Sequence, residues 1–429
     1  MPSRMGHRAA SPPVAATLAT HGRLAPARPA HSRLTLIVAL ICGWALLYVL
    51  TYLPAAGNGS DFQVFYAAAH AGARGIDPYN WPQFWGVERD LYNSSGSASG
   101  FQFAPYGNPP GLALLLRPLT ALGEPAAYRI WVVLILLAGF AGTYLGLADW
   151  PRRPRVAAAA LVAISPAMLF DLRLGQDGSF VLLSLGLGLA LRAAKMPWLA
   201  GAALSIGLLK PHLMLPLIAL IALAESGVDR RRLLGGFAVA AAALIGLALL
   251  ADGGIEAFSR WRSSLGGFAA SIRYQPDIAS IPGLYYPSAP EALIGPLNVL
   301  CLCVAALLIA ALAWHYRRSS RPERLIGAGI AVYFALSPYV HTGDQVLLAL
   351  PILWLIGPQG LGLRDTAVLL ACCAAILAPM VVIRDYHTVG INALPPLCLA
   401  LAYLVGAPRH VAMVVPAPER AAAGQVAHG

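Results

Sequence analysis

Apolar runs near the length of a bilayer crossing recur along the chain from Leu34 onward, each closed by a short stretch in which Arg, Asp, His, Gly or Pro collects. Backbone groups in lipid must find their partners within the chain, so these runs predict helices. The period-two alternation of a membrane β-barrel is lacking. Residues 155–194 hold two runs around "DLRLGQDG", 233–314 two around a long polar loop, 325–363 two short ones around "HTGD", and 366–408 two around "RDYHTVG". The stretch 196–228 is interrupted by Lys210 and Pro211, which predicts two short helices meeting at one face, because proline removes a backbone donor and clashes with the preceding turn. Spans at 34–54 and 126–148 bring the count to about twelve crossings, with 109–122 assigned to a re-entrant or interfacial helix. Amphipathic stretches at 61–73 and 81–92 predict short helices lying on the membrane surface in the first of two large outer loops, 55–125 and 252–292.

Composition fits that pattern. Of 429 residues 58% are hydrophobic and 11% charged, with a mean hydropathy of +0.66, too much apolar surface for one water-soluble core. The net charge of +11 would suggest nucleic acid in a soluble protein. Here most of the excess falls in the N-terminal tail and in short segments such as "WPRRPR" (150–155), "RAAK" (192–195), "DRRR" (229–232) and "HYRRSSRPER" (315–324), the signature of loops retained in the cytoplasm. No nucleic-acid partner is expected. The expectation is an all-α, polytopic protein of the plasma (inner) membrane. Residues 1–33 and 409–429 form disordered cytoplasmic tails, and 34–408 form one transmembrane domain whose first span is retained rather than cleaved. The six cysteines all lie in apolar runs without metal-ligand spacing and are read as small buried hydrophobes.

With that topology the costly polar residues gather on the outer side: Asp61, Arg173, Gln176, Asp177, Lys210, His212, His341, Asp344 and Arg384. An ionisable side chain at a membrane edge is a functional candidate by default. Asp61, just beyond the first span, is followed by Phe62, Phe65 and Tyr66 at helical spacing, and as an isolated residue reads more readily as a helix N-cap. Arg173 and Gln176 sit in a glycine-flanked turn; the arginine alone could simply snorkel to headgroups. Lys210, between two apolar stretches, needs an anion or an aqueous cavity, and His212 offers a second donor to the same anion. His341, at a hairpin apex, could pair with Asp344 or with Asp61. Together these predict a cationic, hydrogen-bonding pocket with one or two carboxylates at headgroup depth, suited to a lipid-linked phosphate.

Five blocks in order, "SDFQVFYAAAHAGARGIDPYN", "FAPYGNPPGLALLLRPL", "LRLGQDGSFVLLSL", "AGAALSIGLLKPHLMLPL" and "LSPYVHTGDQVLLALP", resemble glycosyltransferase family 87, the polyprenol-phosphate-mannose-dependent α-mannosyltransferase-like proteins of the GT-C class. The resemblance covers most of residues 34–360. It implies a GT-C-like bundle and an inverting transfer of a hexose, mannose first, from a polyprenyl-phosphate donor to a lipid or glycan acceptor on the extracytoplasmic face. In that frame Asp61 is the general base and His341 assists it or binds donor phosphate. Tyr66, Tyr106, Arg173, Gln176, Lys210, His212 and Asp344 are expected to contact substrate. The block around His341 reads "VHTGD" where the family often carries Trp and paired His. No cofactor is expected, although Asp61 with Asp344 could hold a divalent metal. Two other outward-facing activities fit the same residues: a flippase or transporter for polyprenyl-linked glycans, and a polymerase or ligase using a polyprenyl-diphosphate donor.

Overall fold

The computed structural model describes residues 60–93, 104–251, 254–272, 278–316, 322–357 and 393–405. The first span, both tails and Arg384 lie outside them. Among the described residues the protein is helical, without strands and with one isolated backbone bridge between Ile278 and His341. In chain order the helices are α1 (Ser60–Ala73), α2 (Trp81–Asn93), α3 (Pro110–Leu116), α4 (Glu124–Gly146), α5 (Arg152–Ala163), α6 (Pro166–Leu174), α7 (Gly178–Ala193), α8 (Pro197–Leu204), α9 (Pro211–Ala224), α10 (Gly227–Ala251), α11 (Ile255–Ile272), α12 (Ile281–Tyr285), α13 (Glu291–Tyr316), α14 (Pro322–Leu336), α15 (Ala349–Ile356) and α16 (Leu394–Val405). Short 3₁₀ segments extend α3 (Arg117–Ala121) and α8 (Ser205–Leu209) and precede α15 (Gly343–Leu348).

Three helices, α4, α10 and α13, are long and apolar enough to cross a bilayer, and α5 with α6 makes a fourth crossing if that pair, bent by 47°, is one broken span. The other apolar segments are shorter, so the expected dozen full-length crossings are not what the described residues display. The 109–122 stretch is seven α-helical residues followed by a five-residue 3₁₀ turn, too short to span ~30 Å as one helix. As expected from Lys210 and Pro211, the 196–228 stretch is two short helices, α8 and α9, broken at that pair.

Large apolar side chains point outward along the long helices: Val239, Leu244 and Leu247 on α10, and Val299, Leu300, Leu307 and Trp314 on α13. In water such a surface would be costly; in lipid it is the natural exterior. Cys303 is exposed on that same face of α13, which corrects its reading as a buried hydrophobe. Inside, α4 lies against α7, α7 against α8, and α8 against α10, while α14, buried from Leu325 to Ala335, is surrounded by α9, α13, α15 and α16. The α4–α7 contact is backbone-close. A Cβ at Gly186 would collide with the carbonyl of Gly142, so small residues set this approach where hydrocarbon tails compete equally for larger side chains.

The expected surface helix at 61–73 differs. α1 is buried on every face from Phe62 to Ala69, held by α2, α3 and the adjoining 3₁₀ turn, with the Tyr92 hydroxyl donating to the Gln63 carbonyl at 2.8 Å. α2 keeps an exposed face but buries Phe84, Val87 and Glu88. Burial pushes the Glu88 carboxyl up to about 8 from 4.5, with the Ala104 amide opposing. The folded protein therefore holds a proton that the unfolded chain releases near pH 4.5, and its stability falls as pH rises through the window up to about 8. In detergent, the unfolding temperature of Glu88→Gln is expected to stay level between pH 5 and 8 relative to the parent's decline; parallel declines would place the titration elsewhere.

Two ends of the bundle differ in charge. Arg192, at the end of α7, pairs with Glu225 at the end of α9, and Arg230 in the first turn of α10 donates to the carbonyls of Ala222 and Glu225 at 2.8 and 3.1 Å. Two of the basic segments thus share one end. The breaks at Gly175–Asp177, Lys210 and His341–Asp344 meet at the other.

Candidate active site

The first wall of this site is the α6–α7 turn. Ser165 caps α6, its hydroxyl accepting from the Met168 amide, and Pro166 follows in the first turn, where its missing N–H costs nothing. α6 ends on Gly175 at φ 71°, a left-handed conformation that glycine adopts without penalty. A side chain there would also strike Phe62 of α1, so glycine is what lets this turn approach Asp61. Two side chains of α4 hold the turn in place: Trp131 donates to the Gly175 carbonyl at 2.8 Å and Tyr128 to that of Leu172 at 2.7 Å.

The second wall is the helix break at Lys210, and the third is the 337–344 hairpin. Ala279 donates to the Val340 carbonyl at 2.7 Å, tying the hairpin to the segment after α11. Asp344 lies in the first turn of the following 3₁₀ segment, its Oδ2 accepting from the His341 amide at 2.9 Å.

Across these walls runs one continuous polar chain. Asp61, half-buried in the first turn of α1, accepts at Oδ2 a hydrogen bond from Gln176 Nε2. Gln176 Oε1 accepts from Lys210 Nζ at 2.6 Å. The same ammonium donates to Asp344 Oδ1 at 2.6 Å and lies 3.2 Å from Asp177 Oδ1. Asp177 and Asp344 are fully buried and Lys210 nearly so. Behind them Asp171, also fully buried, accepts from the Ser179 amide at 3.1 Å and its hydroxyl at 2.5 Å.

Four of the expected residues, Asp61, Gln176, Lys210 and Asp344, are thereby joined, and His341 is linked through its backbone amide. The character of the cluster differs from the cationic pocket expected. A single ammonium sits among three buried carboxylates: it donates to Gln176 and Asp344 and pairs ionically with Asp177 at 3.2 Å. His212 lies two residues along, its Nε2 buried without a hydrogen-bond partner among the described residues and within electrostatic range of Asp344 and Lys210. Arg173 belongs to the same turn as Gln176 but is exposed. Tyr66 and Tyr106 serve the scaffold: the Tyr66 hydroxyl donates to the Leu122 carbonyl at 2.7 Å, and that of Tyr106 to Pro109 at 3.0 Å while accepting from the Ala113 amide.

One carboxylate, Asp171, is absent from the candidates, and Asp177, counted among the outer-side polar residues, was assigned no contact. The signal was the one applied to Lys210, an ionisable side chain embedded in apolar sequence, here inside "SPAMLFDLRLGQDGS". Among the described residues no three His, Cys, Asp or Glu side chains converge as a metal site.

Comparison with known proteins adds one positive finding. Residues 106–338, more than half of the chain, match the profile of glycosyltransferase family 87; the match includes Gln176, Asp177 and Lys210, while Asp61 lies before it and His341 and Asp344 after it. No curated protein and no solved structure matches.

Proposed function

We propose, from the premise that the chain belongs to glycosyltransferase family 87 and is a glycosyltransferase, that it transfers a hexose, mannose first among candidates, from a polyprenyl-phosphate donor to a lipid or glycan acceptor on the extracytoplasmic face of the plasma membrane. The observation that supports this most is Asp61 itself: a half-buried carboxylate at the outlet of a buried ionic chain, on the end of the bundle opposite the Arg192–Glu225 pair.

In the reaction, the acceptor hydroxyl oxygen attacks the anomeric carbon from the face opposite the phosphate. The carbon–oxygen bond to phosphate breaks with its electron pair, leaving polyprenyl phosphate, and Asp61 takes the hydroxyl proton. Back-side attack inverts the anomeric centre. A carboxylate fixed beside the attacking oxygen supplies general-base assistance, and positioning two lipid-borne reactants in one place removes much of the entropic cost of their encounter. His341, tied to Asp344 through its amide, and Arg173, exposed on the Gln176 turn, are assigned to the departing phosphate's charge.

The test uses purified protein in nanodiscs with polyprenyl-phosphate-mannose and total lipid extract as the acceptor pool. The expected products are a mannosylated acceptor and polyprenyl monophosphate. Turnover of a polyprenyl-diphosphate oligosaccharide instead would assign a polymerase or ligase, and lipid translocation without sugar transfer a flippase; either overturns the proposal.

A further inference from the structure

Resting on that reading, we infer that Gln176, Lys210 and Asp344 are positioning residues rather than donor ligands: together they fix the Asp61 carboxylate relative to the His341 hairpin. The argument begins with polarity. A lysine ammonium donates hydrogen bonds and accepts none, so the Gln176 atom facing it at 2.6 Å must be the carbonyl oxygen. The amide nitrogen is then turned toward Asp61, where it donates to Oδ2. The reversed amide would set N–H against the ammonium and a carbonyl oxygen against a carboxylate, two repulsive contacts. Lys210 therefore dictates which end of Gln176 the base meets.

Lys210 has no latitude to do otherwise. Its ammonium is buried, donates to Gln176 and Asp344 and lies 3.2 Å from the Asp177 carboxylate, so a phosphate could reach it only by displacing one of these groups. Asp344 acts in two directions: one oxygen anchors Lys210 at 2.6 Å and the other accepts from the His341 amide at 2.9 Å. One buried carboxylate thus registers both α1, through Lys210 and Gln176, and the hairpin, through His341. Hydrogen bonds in series from a charged donor polarise one another, which strengthens the last one, to Asp61.

The experiment compares Gln176→Glu with Gln176→Leu, using polyprenyl-phosphate-mannose turnover. Gln176→Glu keeps the shape and the oxygen that Lys210 needs but cannot donate to Asp61 as a carboxylate. Both variants are expected to lower kcat about ten- to a hundredfold, the worth of one charge-assisted hydrogen bond, with donor KM within about twofold, measured on protein that still unfolds cooperatively. A raised donor KM at unchanged kcat would make Gln176 a donor ligand, and parental kinetics would deny it any role; either overturns the inference. An inert Asp61→Asn beside a fully active Gln176→Glu would remove the positioning chain alone. A parent protein that does not turn over this donor would remove the proposed function and the inference with it.

Discussion

Asp61→Asn is expected to lower sugar transfer by about 10²- to 10⁴-fold, the contribution of a positioned general base. The substitution suits the purpose because it is nearly isosteric. Asparagine presents a carbonyl oxygen where Asp61 Oδ2 now accepts from Gln176, so the contact with the α6–α7 turn survives. Asp61 is half-buried at the end of the chain, and its neighbours Lys210, Asp344 and Asp177 keep one another as partners when it is neutralised. The unfolding temperature and donor binding should therefore match the parent's while product formation disappears. Transfer within tenfold of the parent, measured on purified protein, would remove Asp61 from the chemistry.

Lys210→Met is expected to be the most destabilising single change in the site. Methionine fills most of the volume but leaves Asp344 Oδ1 and Gln176 Oε1 without their shared donor and the Asp177 carboxylate without its counter-charge, in a place that water does not reach. Removing one partner of a buried ion pair costs about 3–5 kcal/mol, because the residual charge is stranded. Neutralising the stranded side should recover much of it: Lys210→Met combined with Asp344→Asn is expected to unfold at a higher temperature than Lys210→Met alone, the non-additivity of residues in one network. A single variant as stable as the parent would mean that the ammonium is dispensable to the fold.

How far the sequence already disclosed this arrangement depends on whether a signal is local. Helix breaks were legible at Gly175, at Lys210–Pro211 and around 337–344, because proline and glycine act on their own turn. The candidates Asp61, Lys210 and Asp344 were legible because a charge in apolar sequence is conspicuous wherever it lies. Pairing was not. Lys210 stands in "GLLKPHLMLP" with no acid beside it and so suggested an external anion; its acids arrive from 33 residues before and 134 after, a fact of topology alone. Tyr66 and Tyr106 were singled out with their sequence blocks, and nothing in those blocks tells a hydroxyl that meets substrate from one that closes a backbone turn. α1 was placed on the membrane surface because its sequence shows an apolar stripe; the alanines filling its other face proved to be contact positions for neighbouring helices rather than an exposed side.

The brevity of α7 and α9 has one more consequence. At 1.5 Å per residue their 16 and 14 residues reach only ~24 and ~21 Å, against ~30 Å of hydrocarbon. With Arg192 and Glu225 anchored at one boundary, the far tips of these helices stop well beneath the opposite leaflet's surface, and tilt only deepens the shortfall. A bilayer meeting them there would thin or dimple over Gln176 and Lys210, at a modest cost for each ångström of mismatch. On the proposed reading, an isoprenoid carrier would then sink its headgroup toward Asp61 while its tail stays in the oil, and the acceptor would descend into the same depression.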